Sequence, residues 1–185
     1  MFIQTEVTPN PATLKFLPGR VVLNDNGTAE FTAENDADRS PLAQRLFAIP
    51  SVSGVFLGSD FITVTKGEGD WQHLKPAVLG AIMDHYLSGA PALDTDAGQI
   101  MDDGFFEPGD AEIVATIKEL LETRVRPAVA QDGGDITFNS YRDGVLFLNM
   151  RGSCSGCPSS TATLRHGIEN LMRHFIPEVR EVQPV

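Results

Sequence analysis

The sequence predicts an α+β protein: two small α/β sandwich domains joined by an acidic linker, the second domain in the order α-β-β-α-β. Three observations carry this. Strand-length runs rich in Val, Ile, Phe and Thr occur on both sides of the chain's middle, together with long apolar stripes at helical spacing. Residues 90–111 hold six acidic and no basic side chains, and their apolar residues keep no regular period. Finally, 185 residues with 42% hydrophobic content suffice for one core or two. The expected division is a domain over 1–89, a linker over 90–110 and a domain over 111–185.

In the first domain, FIQTEV (2–7) and TLKFLP (13–18) are short strands, separated by TPNP, whose two prolines forbid a continuous ladder. Ser40 followed by Pro41 is an N-cap and a first helical position for a helix through PLAQRLFAI. VSGVFLG (52–58) and DFITVTKG (60–67) are two strands turning at Gly58, Ser59 and Asp60. A helix from about Trp71 to Leu87 then presents Trp71, Leu74, Val78, Ile82 and Tyr86 as one stripe, which is core spacing and no evidence of a binding groove.

The linker, APALDTDAGQIMDDGFFEPGD, supplies more than half of the net charge of −11. Ile100, Met101, Phe105 and Phe106 give it apolar points that can dock on a neighbouring surface, so the expected connection is tethered and partly mobile. As a solvated spacer it also sets how freely the first domain swings.

The second domain opens with a helix from about Ala111, where Ile113, Ile117, Leu120, Leu121 and Val125 form a stripe that Pro127 should disturb. DGGD (132–135) is a stop, and ordinary turn chemistry accounts for its residues. ITFNSY (136–141) and VLFLNM (145–150) form a hairpin through Arg142, Asp143 and Gly144. A helix over Pro158 to Phe175 and a last strand in VREVQ complete the domain.

The chain's only cysteines, Cys154 and Cys157, lie in GSCSGCPSS, between the second hairpin strand and that helix. Unsatisfied N–H groups and the dipole at a helix N-terminus favour thiolate over thiol, and thiolate is both nucleophile and metal ligand. Gly152 and Gly156 let backbone wrap a ligand, and the small polar Ser159 and Ser160 leave the thiols unshielded. Two ligands are half of a zinc or iron–sulfur site. A zinc site within one chain lacks its second half: His166 and His174 are wrongly spaced, and His73 and His85 belong to the other domain, so the four histidines are ordinary surface or boundary residues. Two readings stay open. One is a thioredoxin-like dithiol, for which the expected βαβ context is replaced by a preceding hairpin. The other is symmetric completion, in which two chains bring four thiolates round one cluster, exposed enough to be handed on.

Composition excludes other classes. A net charge of −11 opposes binding to phosphate backbones, so no nucleic-acid partner is expected. No run approaches the apolar length of a membrane span, and MFIQTEVTPNP lacks the features of a signal peptide, so a reducing compartment is expected, in which a close Cys pair is metal-binding or redox-active.

The segments RPAVAQDGGDI (126–136) and LNMRGSCSGCPSSTATL (148–164) resemble the C-terminal domain of NifU and of the Nfu iron–sulfur cluster scaffold proteins, a likeness covering about residues 111–185. QTEVTPNPATLKFLPG (4–19) with DFITVTK (60–66) resembles the Nfu N-terminal domain. The resemblance implies a non-enzymatic cluster carrier that accepts a cluster from an upstream scaffold and delivers it to apo-proteins. It further implies that Cys154 and Cys157 ligate the cluster, commonly [4Fe–4S] and otherwise [2Fe–2S], across a homodimer. Full-length NifU's cysteine-bearing scaffold domain and central [2Fe–2S] domain have no counterpart, so nitrogenase-dedicated assembly is not implied. A bacterial cytoplasmic member is the simpler expectation, with a processed mitochondrial one as the variant.

Overall fold

The computed structural model describes residues 1–24, 27–94, 104–155 and 158–185, with side chains of the last stretch from residue 162. The central part of the acidic linker therefore lies outside the described residues. The chain divides into two compact units, Met1–Gln99 and Ile100–Val185.

In the first unit, β1 (Gln4–Val7) and β2 (Thr13–Leu17) are antiparallel neighbours. The TPNP segment between them is closed by Asn10, whose side-chain Oδ1 accepts from Ala12 N at 3.0 Å while its carbonyl accepts from Thr13 N at 3.0 Å. With β3 (Ala29–Phe31), β4 (Val52–Leu57) and β5 (Ile62–Lys66) they form an antiparallel sheet in the order β1-β2-β5-β4-β3. Register aligns Leu14 with Val64 and Phe16 with Ile62, and on the other side Val55 with Val64 and Leu57 with Ile62. These residues share one buried cluster with Leu42 and Leu46 of α1 (Pro41–Phe47) and Leu74, Val78 and Ile82 of α2 (Trp71–Ser88). Ser40 caps α1 as its sequence requires, its Oγ accepting from Ala43 N at 3.0 Å. Residues 20–39 carried no sequence expectation; they supply β3 and a 3-10 helix, Glu34–Arg39, whose shortness leaves too little periodicity to read.

In the second unit, β6 (Phe105–Phe106), β7 (Gly134–Arg142), β8 (Val145–Gly152) and β9 (Glu181–Pro184) form a sheet in that order. β6 runs parallel to β7, and β9 parallel to β8. The end of the predicted linker is thus a sheet edge. Phe106 meets the Phe138 ring edge-on, centroids 6.4 Å apart, and the Lys118 ammonium stands 5.8 and 5.3 Å from the two centroids.

The first helix of this unit is α3 (Ala111–Leu120), a π-helical turn (Leu121–Val125) and α4 (Arg126–Gln131) in unbroken succession. Pro127 does not end it. The wider turn ends two residues before Pro127, whose nitrogen has no N–H to return to that turn, and a locally relaxed hydrogen-bond ladder costs least there. Asp143 (φ 51°) and Gly144 (φ 81°) form the two-residue turn between β7 and β8. α5 (Pro158–Phe175) follows β8. Val114, Ile117 and Leu121, Ile136, Leu146 and Leu148, Ile168 and Met172, and Val182 make the second core.

Candidate metal centre

The open end of the β7–β8 hairpin builds the cysteine loop. Gly134, the first residue of β7, is the register partner of Gly152, the last of β8. Gly152 (φ 65°) turns the chain out of the strand, and Ser155 N donates to its carbonyl at 3.1 Å, closing a tight turn over Ser153 and Cys154. Cys154 joins the second core with 7% of its surface exposed. This differs from the open thiol that the small polar surroundings predict. The side chain turns inward against Gly134, so the polarity of its sequence neighbours does not describe its surroundings.

DGGD lies directly on this loop. Gly133 (φ 79°) ends the α4 segment, its N–H donating to the Ala130 carbonyl at 3.0 Å. Ser153 N donates to the Gly133 carbonyl at 3.3 Å, and the buried Ser153 hydroxyl donates to the Asp132 carbonyl. A β-carbon on Gly134 would stand 2.7 Å from Cys154 Sγ, 2.9 Å from the Arg151 carbonyl oxygen and 3.2 Å from Cys154 N.

Asp135, 3% exposed, accepts from Arg126 Nε at 2.8 Å and Nη2 at 3.0 Å, and from Ile136 N at 2.9 Å. Arg126 Nη1 donates to Glu122, one helical turn earlier. Burial pulls the Arg126 pKa down, but the hydrogen bonds and charges of Asp135 and Glu122 outweigh it and leave the guanidinium above its ordinary value. Sequence reasoning took DGGD for a turn alone. The missed signal is the second glycine, which the turn itself does not need.

Cys157 and Gly156 lie outside the described residues. The histidines gather no ligand set: among the described residues no group of three or more His, Cys, Asp or Glu side chains could hold a metal ion. His85 corrects the expectation of surface or boundary histidines, being 1% exposed with Nδ1 lacking a hydrogen-bond partner. Burial, and secondarily Arg45, pushes its pKa below the ordinary 6.5. Among the described residues no helix is long and apolar enough to cross a membrane. The hairpin does precede the loop, but β8, α5 and the parallel β9 also make a βαβ unit. Local topology therefore does not separate a dithiol from a cluster ligand.

The comparisons with known proteins bear on the family of the chain. The family described as scaffold protein Nfu/NifU N terminal matches residues 3–89, and the NifU-like domain matches residues 117–183, which include both cysteines. A protein of Drosophila sechellia named NFU1 iron-sulfur cluster scaffold homolog, mitochondrial, is 51% identical over 186 residues, covering 100% of this chain and 65% of its own length. Its namesake in Drosophila grimshawi is 51% identical over 185 residues, covering 100% of this chain and 61% of its own length. The chain thus spans less than two thirds of these relatives. A solution structure of a NifU-like protein from Saccharomyces cerevisiae matches at 26% identity and a TM-score of 0.47, over 51% of this chain and 86% of that one.

Both relatives are named as mitochondrial, which overturns the expectation of a bacterial cytoplasmic protein. The physical reason is that charge and thiol content report only a reducing compartment, a property the cytoplasm shares with the mitochondrial interior. No support emerges for a thioredoxin-like protein. With both of its family domains matched and relatives at about half identity along its whole length, the chain belongs to the Nfu/NifU-like family of iron–sulfur cluster scaffold homologues.

Proposed function

We propose that the chain is a carrier, and not an enzyme, in which Cys154 and Cys157 from each of two copies hold one iron–sulfur cluster across a homodimer, a [4Fe–4S] cluster by preference over [2Fe–2S]. The cluster is cargo: it arrives from an upstream scaffold and leaves for apo-proteins. In this reading residues 1–89 and 111–185 are separate domains, the first recognising targets and the second carrying the cluster, with the acidic stretch between them as a tether. Relatives named as mitochondrial scaffolds give the corresponding compartment.

The observation that carries the proposal is chemical. A chain of this family holds two thiols three residues apart and no others, and Cys154 lies at the turn between β8 and α5 in the NifU-like domain. Two thiolates satisfy half of a cluster's usual four, so a second copy completes the shell without any further residue type. A shell shared between copies opens when they part, which suits delivery better than storage.

The test is the iron and acid-labile sulfide content of anaerobically purified or reconstituted protein, read with its mass in solution. The expected result is about four iron and four sulfide per dimer, with colour and dimer lost in Cys154→Ala and Cys157→Ala. A monomer that takes up no iron and catalyses disulfide exchange refutes the carrier.

A further inference from the structure

We infer that Gly134 is the seat of the Cys154 thiol and that the Glu122–Arg126–Asp135 ion-pair chain holds this seat, so that Gly134 and Arg126 are positioning residues for a cluster ligand. The ligand role rests on the reading above; the seat does not.

The two adjacent glycines of DGGD answer different needs. Gly133 adopts φ 79°, a backbone conformation in which a side chain is strained. Gly134 is not among the glycines of positive φ, so conformation does not demand it. Space does. A β-carbon there would lie 2.7 Å from Sγ, well inside the roughly 3.5–4.0 Å at which non-bonded heavy atoms attract. The other two obstructing atoms, Arg151 O and Cys154 N, are backbone held by the Gly134–Gly152 pairing and the following turn. The sulfur alone can retreat by a bond rotation, so a methyl group at 134 expels the thiol first.

The next residue fixes the height of this seat. Asp135 carries a two-pronged contact from Arg126, and Arg126 in turn reaches Glu122, tying the start of β7 to the helical segment beside it. From the opposite side, Ser153 binds the Asp132 and Gly133 carbonyls. The thiol is therefore stowed between the strand start and its own turn, 7% exposed. A buried sulfur reacts slowly with alkylating and oxidising agents, so the stowed state guards the ligand until the turn at Gly152 opens.

The experiment measures iodoacetamide labelling of Cys154 by mass spectrometry in the reduced, cluster-free full chain, against the same chain in urea, with circular dichroism alongside. We expect folded wild type to label at least about tenfold more slowly than in urea, and Gly134→Ala to restore roughly tenfold at unchanged helix content. Arg126→Gln should speed labelling, and Arg126→Lys should fall between it and wild type, because an ammonium cannot make the paired contact. Should Gly134→Ala not fold, Ser153→Ala and Arg126→Lys answer by the same rate. Labelling of folded wild type at the urea rate, or an unchanged rate in every folded variant, overturns the seat. No iron enters this measurement. A chain that labels as expected yet never takes up iron keeps the seat and refutes the carrier, and a cluster-loaded dimer with an exposed Cys154 in its cluster-free form does the reverse.

Discussion

The two ends of the β7–β8 hairpin carry the same dipeptide and use it differently. At one end Asp143–Gly144 is a self-contained two-residue turn, both residues at positive φ, and four consecutive residues explain it. At the other, Asp132–Gly133 ends a helix, and the strand after it is held by Arg126 from the preceding helical segment and by Ser153 from across the hairpin. The same letters thus encode local geometry once and a tertiary junction once. The junction is where Cys154 sits, because a strand end left open by its turn can take a side chain from elsewhere.

Breaking the junction should cost most. Arg126→Ala strips the guanidinium from a carboxylate whose side chain is 4% exposed, and a loss of roughly 3 kcal/mol is expected from the calorimetric transition of the second unit. Because Arg126 is itself 21% exposed, the figure belongs at the low end for a buried pair. A loss below about 1 kcal/mol would class the pair with surface ion pairs and remove the contrast between the two ends.

The closed turn should respond less. In Gly144→Ala a methyl group must enter at φ 81° and 2.9 Å from the Glu178 carbonyl oxygen, and about 2 kcal/mol of stability should disappear in the same measurement. Labelling of Cys154 should stay at the wild-type rate, since nothing near the thiol moves.

A control in the first unit asks whether partnership, and not burial, is what separates these sites. His85 is as buried as Asp135, but its Nδ1 lacks a partner and its pKa is lowered. The folded chain then prefers neutral imidazole, so the unfolded chain binds more protons below pH 6.5, its ordinary value. Stability from this residue is complete above that pH and is lost as pH falls toward the folded-state value. Wild type should lose more stability than His85→Leu between pH 7 and pH 5 in parallel thermal melts; identical slopes would show that His85 does not titrate there.

The smallest effect belongs to Asp143→Asn, since Asn accepts the left-handed conformation as readily. A change within about 0.5 kcal/mol is expected.

Several features were legible because neighbouring residues cause them. Ser40–Pro41 started α1, Asp143–Gly144 closed the hairpin, and helical spacing gave both α2 and the eighteen-residue α5. The Cys pair and its flanking motif gave the family. Other features were not legible because their causes are distant in the chain. Phe105–Phe106 looked like linker, and only a free edge on β7 and the Phe138 ring make it a strand. Pro127 looked like a break, and a π-helical turn absorbs it. Gly134 looked like a second turn glycine, and His85 like a surface residue.

By itself, then, the sequence determined the hairpins Val52–Lys66 and Gly134–Gly152, the helices α1, α2 and α5, and the family, since periodicity, capping and turn chemistry act over a few residues. Tertiary structure alone decided that Cys154 turns inward, that Gly134 must leave it room and that Arg126 reaches Asp135. Those contacts join residues 9 to 20 positions apart, and the chain brings them together only when two strands and a helix close on one core.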